Sequence, residues 1–395
     1  MRLPIVLMIS VIAIGLLVDY YIYRAMRTRL TRYPWAAKAY AWSSLAMIIY
    51  LIVTISLPRR SGSDDGLLVV MWLLFGYMTV YFPKYLFVII DLIARIPQLF
   101  KHKRLKWLSR GGIAVSVILF VAMWWGALIN RFNIQVKEVE IEIAGLPKAF
   151  KGYRIVQFSD FHVGTYGDDD TYVRKVVEEI NSLKPDLILF TGDIVNRNTH
   201  ELQPHVAALS GLRAKDGVYS ILGNHDYGDY TDWPSPEAKA ENMELMYRLQ
   251  QQMGWKMLNN DHVSIIRQPG DTLVLIGVEN IGDPPFPRYG SLEKAYPTAS
   301  DSHTKILMSH NPAHWVDDIA DNDSANIALT LSGHTHAMQI EMLGLSPAVF
   351  RYKTWGGLYS DKNNHHKLYV NIGLGTVGLP MRLGATPEIT LITLK

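Results

Sequence analysis

Apolar positions crowd into roughly the first third of this chain and then thin into short runs separated by polar clusters. Four apolar stretches, residues 3–23, 36–57, 67–95 and 112–129, each reach the length of about 20 residues that a bilayer-spanning helix needs. The first also has the length of a signal peptide. Three comparable segments follow it, however, and no small-residue cleavage site stands after Val18, so it reads as a span. The loops assign a direction. Arg24, Arg27, Arg29, Arg32 and Lys38 lie between the first two spans or at the start of the second, and Arg95, Lys101, Lys103, Arg104, Lys106 and Arg110 around the third loop; the opposite side holds only Arg2, Arg59 and Arg60. The positive-inside bias places the two basic loops in the cytoplasm, and an even number of spans then puts both termini outside. Trp124 and Trp125 suit an outer interfacial belt.

Three charged residues interrupt the apolar segments. Lys84 and Asp91 follow Pro83 in the long third segment. Either Pro83 kinks a helix whose last turns lie at the interface, with Lys84 snorkelling out, or the charges serve passage through the membrane. Asp19 is expected at the interface. No internal repeat or pair of broken helices suggests a transporter.

Past Arg131 the pattern changes, and residues 132–395 read as a separate domain beginning where the membrane module, residues 1–131, ends. Residues 135–143 nearly alternate, predicting an exposed antiparallel strand ended by Gly145-Leu146-Pro147. Residues 170–183 carry Val173, Val176, Val177 and Ile180 at helical spacing, with Pro185 just beyond. Residues 199–212 and 236–253 also read as helices. Buried-strand runs occupy residues 153–159, 187–190, 218–222, 273–278, 305–309 and 327–332, and a strand-rich tail begins at Lys367. Strand–helix alternation followed by strands predicts a mixed α/β domain, two layers of β-sheet forming a sandwich flanked by helices, behind an N-terminal four-helix transmembrane module.

Composition narrows the chemistry. With 39 basic against 36 acidic residues, the balance opposes a nucleic-acid-binding surface. The chain has no cysteine, which removes disulfides, thiolate metal ligands and cysteine nucleophiles.

Five of the strand runs end on polar clusters: Asp160-Phe161-His162, Gly192-Asp193, Gly223-Asn224-His225-Asp226, His310-Asn311-Pro312 and Gly333-His334-Thr335-His336. A single Asp-x-His or Gly-Asp is more often a solvated turn, but open α/β sheets gather ligands at the carboxyl ends of their strands. In this order the clusters resemble the calcineurin-like metallophosphoesterase superfamily, and residues 375–394 resemble the closing segment of its membrane-associated bacterial branch. The resemblance implies two divalent metal ions, one held by Asp160, His162, Asp193 and His336, the other by Asp193, Asn224, His310 and His334, with Asp193 bridging. Paired cations would clamp both oxygens of an in-line displacement and activate a water as hydroxide. The mixed nitrogen and oxygen ligands suit manganese, iron or zinc. It also implies that His225 stabilises developing charge or protonates the leaving oxygen. Asp226 is a candidate to orient His225. Arg382 is a candidate for a bidentate contact to substrate phosphate, or else a structural ion pair.

The expected activity is hydrolysis of a phosphate ester or pyrophosphate by a multi-pass protein of the cell (inner or plasma) membrane. Tyr230, Trp233, Phe350, Tyr352 and Trp355 form an aromatic lip that suits a lipid-linked or cell-envelope substrate, or else pack over the sheet edge. An enzyme similar to the UDP-2,3-diacylglucosamine hydrolases of lipid A synthesis is an alternative, opposed by the charge bias because that chemistry is cytoplasmic. A non-catalytic metal sensor or scaffold is another, opposed by the intact motifs. A topology reporter fused after Lys395 is expected to report the extracytoplasmic side; a cytoplasmic signal would reverse the orientation and favour the UDP-2,3-diacylglucosamine reading.

Overall fold

The computed structural model describes residues 5–61, 64–268, 270–284, 286–297, 302–322 and 326–395. It divides into two compact units, Met1–Leu128 with Gly378–Pro380, and Ile129–Val377 with Met381–Lys395. Arg2 and the first two residues of the first predicted span lie outside the described residues.

The first unit contains helices α1 (Ile5–Arg29), α2 (Pro34–Ser56), α3 (Asp64–Leu99) and α4 (Lys106–Leu128). Pro34 opens α2, where its missing N–H costs nothing, and Asp64 and Asp65 favour the positive end of α3. All four are long and apolar enough to cross a membrane. At 36 residues α3 runs about 54 Å, well beyond a hydrocarbon core of about 30 Å. Tyr77 and Tyr81 stack with centroids 4.3 Å apart in its buried face. Trp124 turns inward onto Phe75 and Trp72, while Trp125 is exposed.

The charges do not snorkel. Asp19 is buried, and its carboxylate accepts hydrogen bonds from Tyr40 at 2.6 Å, Tyr81 at 2.7 Å and Lys84 at 2.8 Å. The Lys84 ammonium also lies over the rings of Tyr81 and Tyr40, 4.5 and 5.0 Å from their centroids. Lys84 thus turns into the bundle to pair with Asp19 rather than extending away from it, and each neutralises the other's charge. Asp91 is likewise buried, accepting from Tyr21 at 2.5 Å, Arg95 at 3.1 Å and the Arg104 guanidinium. Arg95, one turn further along α3, and Arg104, from the basic loop after it, therefore converge on this acid.

The second unit is two six-stranded sheets. One is ordered β1 (Gln135–Ile141), β12 (Glu388–Leu394), β2 (Arg154–Phe158), β3 (Leu187–Phe190), β4 (Val218–Ser220), β5 (Lys256–Met257). The other is ordered β10 (Gly357–Ser360), β11 (Lys367–Val370), β9 (Leu329–Ser332), β8 (Thr304–Met308), β7 (Asp271–Gly277), β6 (Asp261–Gln268). Side chains alternate across each strand. Ile155, Leu187, Leu189, Leu275, Ile306, Leu329, Leu331 and Ile392 meet between the sheets. Val156, Phe158, Ile188 and Phe190 face outward beneath α5 (Thr171–Ser182), α6 (Val206–Leu209) and α7 (Pro236–Gln252). Val274, Ile276, Leu307 and Leu368 pack outward with Trp315, Ile319 and Ala295 of α8 (Leu292–Ala295). Each such fully buried aliphatic side chain stabilises the fold by about 1.5–3 kcal/mol.

Two elements depart from expectation. The alternating stretch at residue 135 is a strand, but it pairs parallel to β12, which the chain's end threads between β1 and β2. The helix expected over residues 199–212 is a 3-10 segment, Thr199–His205, then the short α6; Pro204 removes the backbone donor an α-helix needs there. Strand β6 drew no expectation because it is a largely exposed edge with polar residues at most positions.

The intramembrane pair generates a test. Replacing Lys84 by Met leaves the Asp19 charge without its cation and is expected to cost about 3–5 kcal/mol in detergent-solubilised unfolding, whereas Asp19→Asn with Lys84→Met restores most of it. Unchanged stability in the single variant would mean that the pair is solvated.

Candidate metal centre

Strands β2, β3 and β4 are parallel, as are β7, β8, β9 and β11, and the residues just beyond their carboxyl ends meet. The Gln157 amide donates to the Ser332 carbonyl at 2.9 Å, the Asp160 amide to Gly192 at 2.8 Å, and the Gly333 amide to His310 at 2.9 Å. Each strand end must then turn sharply to bring its next side chain inward. Asp160, His162, Asp193, His334 and His336 all take left-handed backbone, with φ of 51°, 47°, 62°, 75° and 51°. A non-glycine residue there costs about 1–3 kcal/mol, and clusters of such residues belong to functional sites. Glycine is required beside them: Gly192 has φ 97°, and a Cβ on Gly333 would overlap Ser159 Oγ and Asp160 Oδ2.

The turns converge two donor sets. Asp160, His162 and His336 each offer one ligand atom, all within 4.8 Å of one another, and so do Asp193, His310 and His334. His336 Nε2 lies 3.2 Å from Asp160 Oδ1 and 3.1 Å from His162 Nε2. Asp193 Oδ2 lies 3.1 Å from His310 Nε2 and 3.8 Å from His162 Nε2, so its carboxylate stands between the sets. Asn224 Oδ1 is 2.8 Å from His334 Nδ1 and joins the second set. Its orientation is set from behind, because Asn224 Nδ2 donates to Tyr230 at 2.9 Å.

Backbone carbonyls fix the histidine tautomers. His162 Nδ1 is 3.0 Å from the Val195 carbonyl and His310 Nδ1 2.8 Å from that of Thr191. A carbonyl only accepts, so each Nδ1 carries a proton, and in the neutral imidazole each Nε2 would present a lone pair to its donor set, the arrangement of metal-ligating histidine. The carboxylates are held ionised. Burial alone would protonate Asp193, but His310, His225 and His162 outweigh it and hold its pKa well below the usual range. Burial likewise disfavours charge on His310, yet Asp193 and Asp160 hold it up to about 9. Burial and the neighbouring His310 push His334 down to about 3. The residues fit the expected pair of divalent cations: buried, ionised carboxylates stand with oriented imidazoles and one amide oxygen, and the donor set contains no sulfur.

His225 sits beside both sets. Its ring is 4.8 Å from that of His162, edge to face, and stacks on Tyr230 at 4.3 Å. Its Nδ1 lies 2.5 Å from the Asn196 carbonyl and therefore carries the proton, leaving Nε2 with a lone pair.

Two assignments change. Asp226 does not orient His225; the Asn196 carbonyl does. The Asp226 carboxylate instead accepts the backbone N–H groups of Gly223, Asp193, Ile194 and Val195, clasping the two ligand turns together, and burial with the adjacent Asp193 pushes its pKa up to about 7. Arg382 is fully buried, and its guanidinium donates to the carbonyls of Gly375, Ala385 and Ile372, with His336 Nδ1 3.3 Å away. It supports the His336 turn from behind, and those bonds leave it no reach toward a substrate phosphate.

Four contributors have roles that the sequence reading does not assign. Buried Glu201 accepts the amides of Asn196, Arg197 and Asn198, and so holds the loop whose carbonyl orients His225. The Asn198-x-x-Glu201 capping box was its signal. The Val195 and Thr191 carbonyls that fix the tautomers carry no sequence signal. Tyr352 appeared only as an aromatic of the lip, whereas its hydroxyl lies 2.8 Å from His334 Nε2.

Comparison with known proteins follows the same division of the chain. Residues 1–131 match the family described as probable calcineurin-like phosphoesterase, transmembrane domain, and residues 153–338 match calcineurin-like phosphoesterase. An uncharacterized metallophosphoesterase of Bacillus subtilis, YkuE, is 33% identical over 66% of this chain and 86% of its own length. A transmembrane protein with metallophosphoesterase domain from Danio rerio is 32% identical over 72% of this chain but only 63% of its own length, and the bovine protein so named is covered over 65%. Among solved structures, a dimetal phosphatase of Danio rerio aligns over 57% of this chain and 88% of its own, with 13% identity and a TM-score of 0.31.

Adding one methyl group tests the centre. Gly333→Ala is expected to displace the Asp160 carboxylate and lower affinity for one of the two cations about 10–100-fold, read by metal titration, while circular dichroism stays unchanged. Full metal content in this variant would mean that Asp160 is not a ligand.

Proposed function

This chain belongs to the calcineurin-like metallophosphoesterase family, and from that premise we propose that it is a membrane-integrated hydrolase of a phosphate ester or pyrophosphate on a lipid-linked or cell-envelope substrate. The observation that carries the reading is the placement of the Asp193 carboxylate, a member of one donor triad, against His162 of the other. Asp160, His162, His336 and Asp193 would hold one divalent cation, and Asp193, Asn224, His310 and His334 the other. When bound, such a pair supplies positive charge to the phosphoryl oxygens and acidifies water near neutral pH. The chain's own residues do the rest. The left-handed turns hold the ligands in place before substrate arrives, so little reorganisation remains at the moment of reaction. His225, fixed by the Asn196 carbonyl and stacked on Tyr230, presents Nε2 beside both triads. In the protonated form it donates to the developing negative charge or to the leaving oxygen.

The two alternatives considered from the sequence receive less support. A sensor or scaffold would not require His225 to be held beside both triads with a fixed tautomer. The basic loops favour an extracytoplasmic catalytic unit in the cell membrane, with the spans anchored in lipid. That orientation, with the membrane-spanning helices of the same chain, supports a substrate met at a bilayer surface.

Hydrolysis of paired aryl phosphomonoester and phosphodiester substrates by the full-length protein tests the proposal. Activity is expected to need added manganese, iron or zinc, to vanish with chelator or Asp193→Ala, and to fall about 10²–10⁴-fold in His225→Ala with metal content unchanged. Metal bound in full without turnover of soluble or lipid phosphates would leave the sensor reading in its place.

A further inference from the structure

Between His336 and Tyr352, both in contact with the donor sets, the chain leaves the domain as a short hairpin. Ile340 bridges to Leu383, and Met342 and Leu345 exchange backbone hydrogen bonds of 2.9 and 3.1 Å around Leu343 and Gly344. Those two tip residues have φ of 54° and 77°, the left-handed pair of a type I′ turn. Such turns favour Asn-Gly or Asp-Gly, whose polar side chains tolerate the conformation and the water around it. Here a leucine occupies the tip and is 95% exposed. Phe350 is 93% exposed, Met342 and Leu345 each 72%, and Met338 and Val349 are about half exposed.

The segment is apolar outside but well ordered within. Ser346 Oγ donates to the Ala337 carbonyl at 2.5 Å and accepts from the Ala348 amide at 3.1 Å, and the Tyr352 amide donates to Ala348 at 2.7 Å. At its base the Glu341 amide donates to Leu383 at 2.9 Å, and the Gln339 side chain accepts from the Val377 amide at 2.6 Å. Much of its backbone is thus paired while its largest side chains are left in water. A contiguous exposed apolar patch on a soluble surface marks an interaction site.

We propose that the hairpin of residues 338–350 is a membrane-inserting finger that places Leu343, Phe350, Met342 and Leu345 among lipid acyl chains and so holds the metal centre at the bilayer surface. Three observations select lipid over other occupants. Side chains this exposed give a single acyl chain no walls, whereas a bilayer surrounds them on every side. The tight turn pairs Met342 with Leu345 through both backbone hydrogen bonds, which lowers the cost of bringing the tip to the apolar side of the interface. The spans of the same chain keep a bilayer at high effective concentration, so a small apolar tip suffices. The flanking charges agree: exposed Lys353 can meet lipid phosphates, and Arg351 is neutralised by Asp283 at 2.7 Å. The inference rests on this geometry and not on the hydrolytic reading.

The absence of cysteine makes the test direct. In separate full-length variants Leu343→Cys, Phe350→Cys and, on another exposed loop, Lys362→Cys provide a single thiol for a nitroxide label. Each protein is placed in a phosphatidylcholine–phosphatidylglycerol nanodisc, and label accessibility to oxygen and to a water-soluble nickel chelate is measured by electron paramagnetic resonance. The finger predicts an oxygen-to-nickel ratio at 343 and 350 severalfold above that at 362, falling to the 362 value when Leu345 is also replaced by Asp. Water-like ratios at 343 and 350 would overturn the proposal. So would labels shielded from both reagents, since protein and not lipid would then cover the tip.

Discussion

Everything at the candidate centre depends on how sharply the chain turns as it leaves each strand. Parallel strands deliver their carboxyl ends to one edge, but an ordinary strand exit would carry the next side chains outward. Left-handed backbone at Asp160, His162, Asp193, His334 and His336 turns them inward instead. That conformation is costly for residues with side chains, about 1–3 kcal/mol each, so it must be imposed from outside. Asp226 imposes it on the Asp193 turn by accepting four amides, and Arg382 supports the His336 turn by spanning three carbonyls. Arg382, expected at a substrate phosphate, and Asp226, expected to orient His225, are thus the residues that hold the ligand turns in place.

The sheets supply the rigid frame on which such strain can be held. Their facing side chains are fully buried, and the helices cover the outer faces, so displacing a strand end would open a cavity in the core. The membrane module follows a related rule with different materials. There Asp19 and Asp91, which a bilayer would exclude, are retained because Lys84, Arg95, Arg104 and three tyrosines satisfy them. In both halves, partners converge on these buried carboxylates.

Much of this was legible in the sequence because its signals are local. Apolar length marked the four helices, and continuous apolar runs marked β3, β8 and β9. Polar clusters just beyond the strand ends marked Asp160, His162, Asp193, Asn224, His310, His334 and His336 as a set. What was not legible depends on pairing across long separations. That β1 runs parallel to β12, some 250 residues later, has no local signal. The Asp19–Lys84 pair joins different helices, so each residue read alone as interfacial or snorkelling. Arg382 was misassigned because a guanidinium near a phosphate site suggests an anion, whereas its partners are backbone carbonyls with no sequence signature. Asp226 was misread for the same reason: next to His225 in the chain, it turns away to bind amides.

The central claim is that the Asp160–His162–His336 and Asp193–His310–His334 triads form one dinuclear centre bridged by Asp193. Electron paramagnetic resonance of the full-length protein titrated with manganese(II) tests it most directly. The account predicts that filling both sites yields the spectrum of an exchange-coupled pair, lost in Asp193→Ala. An isolated six-line manganese signal at every loading would contradict it.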